Sequence, residues 1–198
     1  MTIKEPIVLA SNNSGKIKEF QDIFVPFNIE IIPQSILLIP EVDEPYTTFV
    51  ENALHKARNC AKFSGKMSLA DDSGLCVNAL NGNPGIYSAL YAGTTTNDAK
   101  NYHKLISQLN GVTNRNAYFY CVLVLVRHEL DPQPLIADGT IKGEILTVPR
   151  GENGFGYDPI FYLPEYDKTL AQLDKEIKNQ ISHRRQAINN LLTKLKEI

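Results

Sequence analysis

Apolar positions along the chain fall into short blocks whose spacing switches between strand-like runs and helical periods. Ile7-Val8-Leu9-Ala10 is a continuous apolar run that predicts a buried first strand, and it empties into Ser11-Asn12-Asn13-Ser14-Gly15-Lys16. From Lys16 onward, Ile17, Phe20, Ile23 and Phe24 recur at helical spacing. Residues 28–32 predict a second strand closed by Pro33, followed by an acidic connection, Glu41-Val42-Asp43-Glu44-Pro45. Thr48-x-x-Glu51 has the form of a capping box and opens a helix to about Phe63, with Phe49, Val50, Ala53, Leu54, Ala57, Cys60 and Ala61 as its apolar face. A third helical period runs over residues 98–109 and stops at Asn110-Gly111. Residues 116–127 are apolar on both alternating sets, which predicts a strand covered on both faces. Asp131-Pro132-Gln133-Pro134 turns it toward another strand over residues 135–145. Ser182 reads as the N-cap of a last helix carrying Ala187, Ile188, Leu191, Leu192 and Leu195 on one face. Strands alternating with helices predict an α/β fold.

The most charged interruption of this pattern is Met67-Ser68-Leu69-Ala70-Asp71-Asp72-Ser73-Gly74. A strand-like approach delivers two adjacent carboxylates, then a hydroxyl, then a glycine expected to let the backbone turn away. Adjacent carboxylates repel unless a cation or a shared proton relieves them, and their oxygens are the hard ligands that Mg²⁺ prefers. After a strand of an open α/β sheet such a pair sits where ligands bind. Asp-Asp-Ser-Gly is equally ordinary turn composition. Residues 75–77 predict a continuing strand beyond it.

Several cations stand where an anion could use them. Strand, small polar loop, Lys16 and helix is the order that aims backbone N–H groups and a cation at a phosphate, although the spacing is not that of a Walker loop. Lys56 lies at the edge of an apolar helix face, where it either snorkels to solvent or meets an anion. His183 and Arg184 occupy the first turn of the last helix, where cations oppose the helix dipole unless an anion or an electron-rich ring edge sits there. Gly151-Glu152-Asn153-Gly154-Phe155-Gly156-Tyr157-Asp158-Pro159 is a glycine-rich loop whose rings either stack on a flat ligand or fold back onto the core. Carboxylates for a metal, cations for phosphates and a ring for a base together describe a metal-dependent enzyme of nucleoside polyphosphates.

Length and composition narrow the setting. The 198 residues allow one domain, or one domain with two lobes. A net charge of −2 argues against a sequence-independent nucleic-acid binder. Cys60, Cys76 and Cys121 show no Cys-x-x-Cys and no zinc spacing with the four histidines, which suits free thiols in a reducing cytoplasm. The longest apolar run, residues 117–126, is well short of the roughly 20 residues of a membrane span. A cytoplasmic protein that engages neither membrane nor nucleic acid is expected.

In this setting the chain resembles the inosine/xanthosine triphosphate pyrophosphatases. The resemblance rests on Ser11-x-Asn13-x-x-Lys16-x-x-Glu19, Thr48-Phe49-x-Glu51-Asn52-Ala53-x-x-Lys56-Ala57, and Ala70-Asp71-Asp72-Ser73-Gly74-Leu75. It continues in Leu80-Asn81-Gly82-x-Pro84-Gly85-x-Tyr87-Ser88-Ala89, Gly154-Phe155-Gly156-Tyr157-Asp158-Pro159-Ile160-Phe161 and Lys178-x-x-x-Ser182-His183-Arg184-x-x-Ala187. These blocks stand in family order over nearly the whole chain.

The resemblance implies an elongated mixed β-sheet flanked by helices, with two lobes about a central substrate cleft in a single domain over residues 1–198, and a homodimer. It implies Mg²⁺-dependent hydrolysis of noncanonical purine nucleoside triphosphates (ITP, dITP, XTP) to the monophosphate and pyrophosphate, which cleanses the nucleotide pool. By the same resemblance Ser11, Asn12, Asn13, Ser14, Gly15 and Lys16 bind the triphosphate, and Lys56 is a substrate lysine rather than a snorkelling one. Asp72 is the proton acceptor and a metal ligand, with Asp43 or Glu44 as second ligand. Ser73, Phe155, Gly156, Tyr157, Asp158, Lys178, His183 and Arg184 bind substrate. A donor such as Arg184, or a backbone N–H, aimed at C6 of the base would favour the oxygen of inosine and xanthosine over the amino group of adenosine. The chain departs from the family pattern at Asp43-Glu44-Pro45-Tyr46, where Glu-Glu and a glycine are usual, and at Asn78, where an aspartate is common. Two rival readings are a Maf-like nucleotide pyrophosphatase of other specificity and a non-catalytic nucleotide-binding regulatory module. The Phe155 to Asp158 and Ser182 to Arg184 blocks argue against the first, and an intact Asp72 against the second.

Overall fold

The computed structural model describes residues 5–93 and 97–196; residues 1–4, 94–96 and 197–198 of the expected domain lie outside them. The strands form one mixed seven-stranded sheet in the order β2-β1-β3-β4-β5-β6-β7. These are β1 (Ile7–Leu9), β2 (Ile31–Pro33), β3 (Ser68–Val77), β4 (Asn116–Val126), β5 (Leu135–Ile145), β6 (Phe161–Leu163) and β7 (Lys168–Thr169). The helices are α1 (Ser14–Phe24), α2 (Phe49–Ser64), α3 (Asp98–Gln108), α4 (Lys175–Ile181) and α5 (His183–Leu195). β1 pairs parallel with both β2 and β3, whereas β6 pairs antiparallel with β5 and β7. The expected α/β class and mixed sheet are both present.

The chain divides into two compact units. The first comprises residues up to Asp72, residues 121–139 and the chain from His183. Its core joins Ile7 and Leu9 of β1, Phe20, Ile23 and Phe24 of α1, Leu69 of β3, Cys121, Leu123 and Leu125 of β4, and Ile188, Leu191 and Leu195 of α5. Asn13 starts α1 by accepting from the Lys16 N–H at 3.0 Å, so the helix opens two residues before the expected Lys16 and holds Ser14 and Gly15 in its first turn. β2 begins only at Ile31, because residues 25–27 form a 3-10 turn ended by Asn28 in the left-handed region. Thr48 caps α2, and Gly65, with φ near +64°, ends it. At Gly139 of β5 an added Cβ would lie 2.2 Å from the His183 carbonyl, so a glycine lets the start of α5 approach the strand backbone.

The second unit comprises residues 73–120 and 140–182. Leu75, Val77, Leu105, Leu109, Phe119, Ile145, Tyr157, Phe161 and Leu170 belong to its core. β4 alternates between buried and half-exposed positions as far as Tyr120 and is buried at every position from Cys121 to Val126. The expectation of two covered faces therefore holds for the half that lies in the first unit. Arg127 falls outside β4, because its N–H and its Nε both donate to Asp131, at 2.9 and 2.8 Å, and that pairing starts the turn. The segment before Ser182 forms the short helix α4, which the apolar spacing does not reveal. Ser182 stands extended between α4 and α5 and donates its N–H to the Lys178 carbonyl at 3.0 Å. The three cysteines are free and buried, as expected. Among the described residues no helix is long and apolar enough to cross a membrane.

One expectation is overturned outright. Asp71-Asp72-Ser73-Gly74 does not turn away from a strand end; it runs through the middle of β3, where Ser73 alone is not fully buried. Gly74 serves close approach rather than a turn. A Cβ there would lie 2.1 Å from the Gly85 carbonyl oxygen and 2.6 Å from Ser88 Oγ, and the same Ser88 hydroxyl accepts from the Leu75 N–H at 2.9 Å. Gly74→Ala should therefore destabilise the protein by about 3 kcal/mol or more in urea unfolding, and a loss below about 1 kcal/mol would mean that the backbone of residues 85–88 yields easily.

Candidate active site

Both carboxylates of β3 are buried, Asp71 at 1% and Asp72 at 4% exposure. Side chains alternate across a strand, and the two acids have different partners accordingly. Asp71 Oδ2 lies 2.8 Å from Lys16 Nζ of α1 and 3.8 Å from Arg184 Nε of α5. Asp72 Oδ2 accepts from Asn52 Nδ2 of α2 at 3.2 Å. Lys56, one helical turn after Asn52, carries the field of both aspartates and pairs directly with Glu44.

The titrations follow these surroundings. Burial disfavours the charge of Asp71, but Lys16, Arg184 and Lys56 outweigh it and hold that carboxyl well below the usual range. Burial dominates at Asp72. Lys56 and Lys16 lower its pKa, Glu44 and Asp71 raise it, and the carboxyl is pushed up to about 6. Burial works against the charge of Lys56 as well, but Asp71, Asp72 and Glu44 overcome it and raise its pKa. Its side chain is only 13% exposed and its ammonium pairs with Glu44, so it meets an acid instead of snorkelling. Arg184 is buried and donates from Nη1 to Glu19 Oε2 at 2.7 Å. Burial again opposes its charge, and Glu19 with Asp71 keeps it protonated.

Of the expected phosphate loop, Ser11 is half-buried, Asn12, Asn13 and Ser14 are exposed, and Gly15 and Lys16 are half-buried in the first turn of α1. The Asn13 N–H donates to Ser11 Oγ at 3.3 Å. Both candidate second ligands, Asp43 and Glu44, are exposed in the loop before α2, and Glu44 pairs with Lys56. Among the described residues no group of three or more His, Cys, Asp or Glu is disposed to hold a metal. A hard cation such as Mg²⁺ takes one or two carboxylates plus substrate oxygens. Glu44 and Asp72 fit that role, because the charge of Glu44 adds to the rise in the pKa of Asp72 and a divalent cation would relieve that repulsion.

The second unit holds its own cluster. Asp158 is buried, and its Oδ2 accepts from the Phe155 N–H at 2.9 Å and from Lys178 Nζ at 2.7 Å. A Cβ at Gly154, where φ is +82°, would meet that oxygen at 2.1 Å, so the turn closes on the carboxylate only with glycine there. Lys178 Nζ stands 5.1 Å from the centre of the half-buried Phe155 ring. The Gly156 N–H donates to Asp98 at the start of α3, at 2.7 Å. Tyr157 folds onto the core at 4% exposure and donates its hydroxyl to the Ser88 carbonyl at 2.8 Å. Of the two rings in this loop, Phe155 is the one that keeps an accessible part. Ser73 opens this unit half-buried, and His183 is buried at the first position of α5, in the first unit.

Glu19 and Asn52 do not stand among the residues to which the sequence assigns a site role. Both lie within blocks of the resemblance, and both are polar residues on otherwise buried helix faces, which is the signal that marks them.

The sequence model of the Ham1 family matches residues 7–194. The dITP/XTP pyrophosphatase of Neisseria meningitidis serogroup B is 56% identical over 192 residues, 96% of each chain. That of Nitrosomonas europaea is 52% identical over 191 residues, 96% of this chain and 94% of the relative. Among solved structures, a HAM1 protein from Coxiella burnetii superposes with a TM-score of 0.90 at 48% identity, covering 98% of this chain and 99% of that one. A nucleoside-triphosphatase, or dITP/XTP pyrophosphatase, from Mycobacterium abscessus gives 0.75 at 38% identity over 95% and 99%.

The raised pKa of Asp72 has a measurable cost. A carboxyl moved from 3.8 to about 6 binds its proton more tightly folded than unfolded, so its contribution is fully present below pH 4 and is lost as pH rises through 6. At about 1.4 kcal/mol for each pH unit, Asp72→Asn should stabilise the ligand-free protein by up to about 3 kcal/mol above pH 7 and very little at pH 4. Thermal unfolding at the two pH values checks this, and equal shifts at both would mean that the gain does not come from ionisation.

Proposed function

The chain belongs to the Ham1 family, and on that premise we propose that it hydrolyses ITP, dITP and XTP to the nucleoside monophosphate and pyrophosphate. The observation that carries this reading is the pair of β3 carboxylates set in different electrostatic surroundings and flanked by Lys16, Lys56 and Arg184. Two acids whose environments drive their pKa values apart can take separate roles.

Asp72 is the base. A carboxyl poised near 6 is ionised at neutral pH and still basic enough to accept the proton of an attacking water. Asp71 remains charged throughout that range and fixes Lys16 and Arg184 in place. Ser11, Asn12, Asn13, Ser14 and Gly15, with Lys16, take the phosphates, supported by the open end of an eleven-residue helix. Asp72, with Glu44 or Asp43, would hold Mg²⁺, which supplies charge neutralisation on the phosphate oxygens. Lys56 balances Glu44 and Asp72 from within α2.

Within the second unit base recognition falls to Phe155, with Gly156 and Lys178 beside it, while Tyr157 and Asp158 shape the loop from within. Ser73, His183 and Arg184 keep the substrate-binding role that the resemblance implies. The half-buried Phe155 ring beside the Lys178 ammonium supports stacking of an electron-rich purine at that loop. A homodimer completes the proposal.

Product analysis with ITP, XTP, GTP and ATP, each with and without Mg²⁺, tests this function. Metal-dependent pyrophosphate from ITP and XTP, with little from the other two, is the expected result; orthophosphate, or binding of ITP without turnover, would overturn it. Asp72→Asn should retain the fold and lose about 100-fold or more in turnover, the scale of a missing general base. Near-normal turnover would transfer the role to another group, Asp71 first.

A further inference from the structure

Asn52 makes contacts beyond those a helix residue needs. It is 1% exposed on α2. Its Oδ1 accepts from the Tyr46 N–H at 3.0 Å, while Nδ2 donates to the Tyr46 carbonyl at 3.3 Å and to Asp72 Oδ2 at 3.2 Å. The amide thus pairs with both backbone groups of one residue, and its second N–H reaches the carboxylate of β3. Tyr46 lies two residues beyond Glu44, whose own carboxylate meets Lys56 on the same helix one turn later. Several side chains of α2 reach this loop, His55 against the Tyr46 ring and Asn59 at the Pro40 carbonyl among them, and Asn52 joins the loop to a hydrogen bond on Asp72.

From this geometry we infer that Asn52 is a positioning residue that ties the loop bearing Asp43 and Glu44 to Asp72, so that the two sources of metal-ligating oxygen keep a fixed separation. The inference rests on the catalytic reading of Asp72 given above. An asparagine suits the task better than an acid, because a carboxylate at this position could not donate to Asp72 or to the Tyr46 carbonyl and would add a buried like charge. It suits it better than a longer amide as well, because three partners are met at once from a short side chain on a rigid helix.

The test separates positioning from plain stability. Asn52→Ala is compared with the unaltered protein for Mn²⁺ binding, read from the free-ion EPR signal without nucleotide, for kcat and KM with ITP, and for thermal unfolding. Loss of an outer partner of this kind costs about 10- to 100-fold in metal affinity or activity. The expected result is Mn²⁺ affinity weakened at least about 10-fold and kcat reduced by a similar factor at temperatures well below unfolding. A lower unfolding temperature with unchanged Mn²⁺ affinity and kcat would overturn the inference and leave Asn52 as a staple between loop and helix. If Asn52→Ala does not fold, Asn52→Ser, too short to span either contact, takes its place with the same expected losses. Weakened Mn²⁺ affinity in the variant, from a protein that releases no pyrophosphate from ITP, would uphold the tether and overturn the hydrolase reading instead.

Discussion

Two adjacent carboxylates buried in the middle of a strand are the constraint on which the first unit depends. Burying a charge without a partner is prohibitive, and burying two in sequence is tolerable only if each finds compensation on its own side of the strand. Each helix of that unit contributes to it. Lys16 comes from α1, Asn52 and Lys56 from α2, and Arg184 from α5. The contacts that dock these helices electrically are therefore the same contacts that surround the two candidate site carboxylates. The apolar core supplies the bulk of the packing energy, and the aspartates add a demand for polar partners that apolar packing alone does not meet.

The compensation is deliberately unequal in effect. Lys16 and Arg184 lie close to Asp71 and overcome its burial, whereas the amide of Asn52 and the shared charge of Lys56 leave the burial of Asp72 dominant. The result is one acid that stays charged as a fixed anchor and one whose charge is costly at neutral pH. A buried acid held in an unfavourable charge state by a well-packed surround is the kind of local cost to stability that functional sites commonly carry. The two acids also act in opposite directions with pH. Asp71 favours the folded state until acid protonates it, and Asp72 favours it less as alkali removes its proton.

How far the sequence reveals this depends on the range of the interactions involved. The strand over residues 135–145, the start of the helix at Thr48 and the last helix with its apolar face are set by local periodicity and capping, and the structure has them where the pattern places them. Asp71-Asp72-Ser73-Gly74 was legible as chemistry but not as conformation. Turn propensity registers the polar residues and the glycine and is blind to Lys16, Arg184 and the backbone of Gly85, which come from distant parts of the chain and make a straight strand possible there. Tyr157 gives the same lesson in reverse. Its glycine-rich surroundings suggest a ring offered to a ligand, while a carbonyl at Ser88 draws the hydroxyl inward. Glu19 and Asn52 are hidden for a third reason, since a polar residue on a helix looks solvated until the helix is packed.

The spacing within the sequence blocks becomes intelligible once the pairs are seen. Lys16 and Glu19 are three residues apart on α1, so they share one face of the helix. Lys16 reaches Asp71, Glu19 reaches Arg184, and Arg184 returns to Asp71 at 3.8 Å, which makes a chain of alternating charge through two helices and a strand. Asn52 and Lys56 are four apart on α2, so both turn toward the acidic loop, and the field of Asp72 falls on each. A different spacing in either helix would carry one member of the pair to the opposite face and leave a buried charge without its partner. Within the first unit, these blocks are therefore the sequence record of one electrostatic network, and the cost of burying its charges constrains the spacing within each.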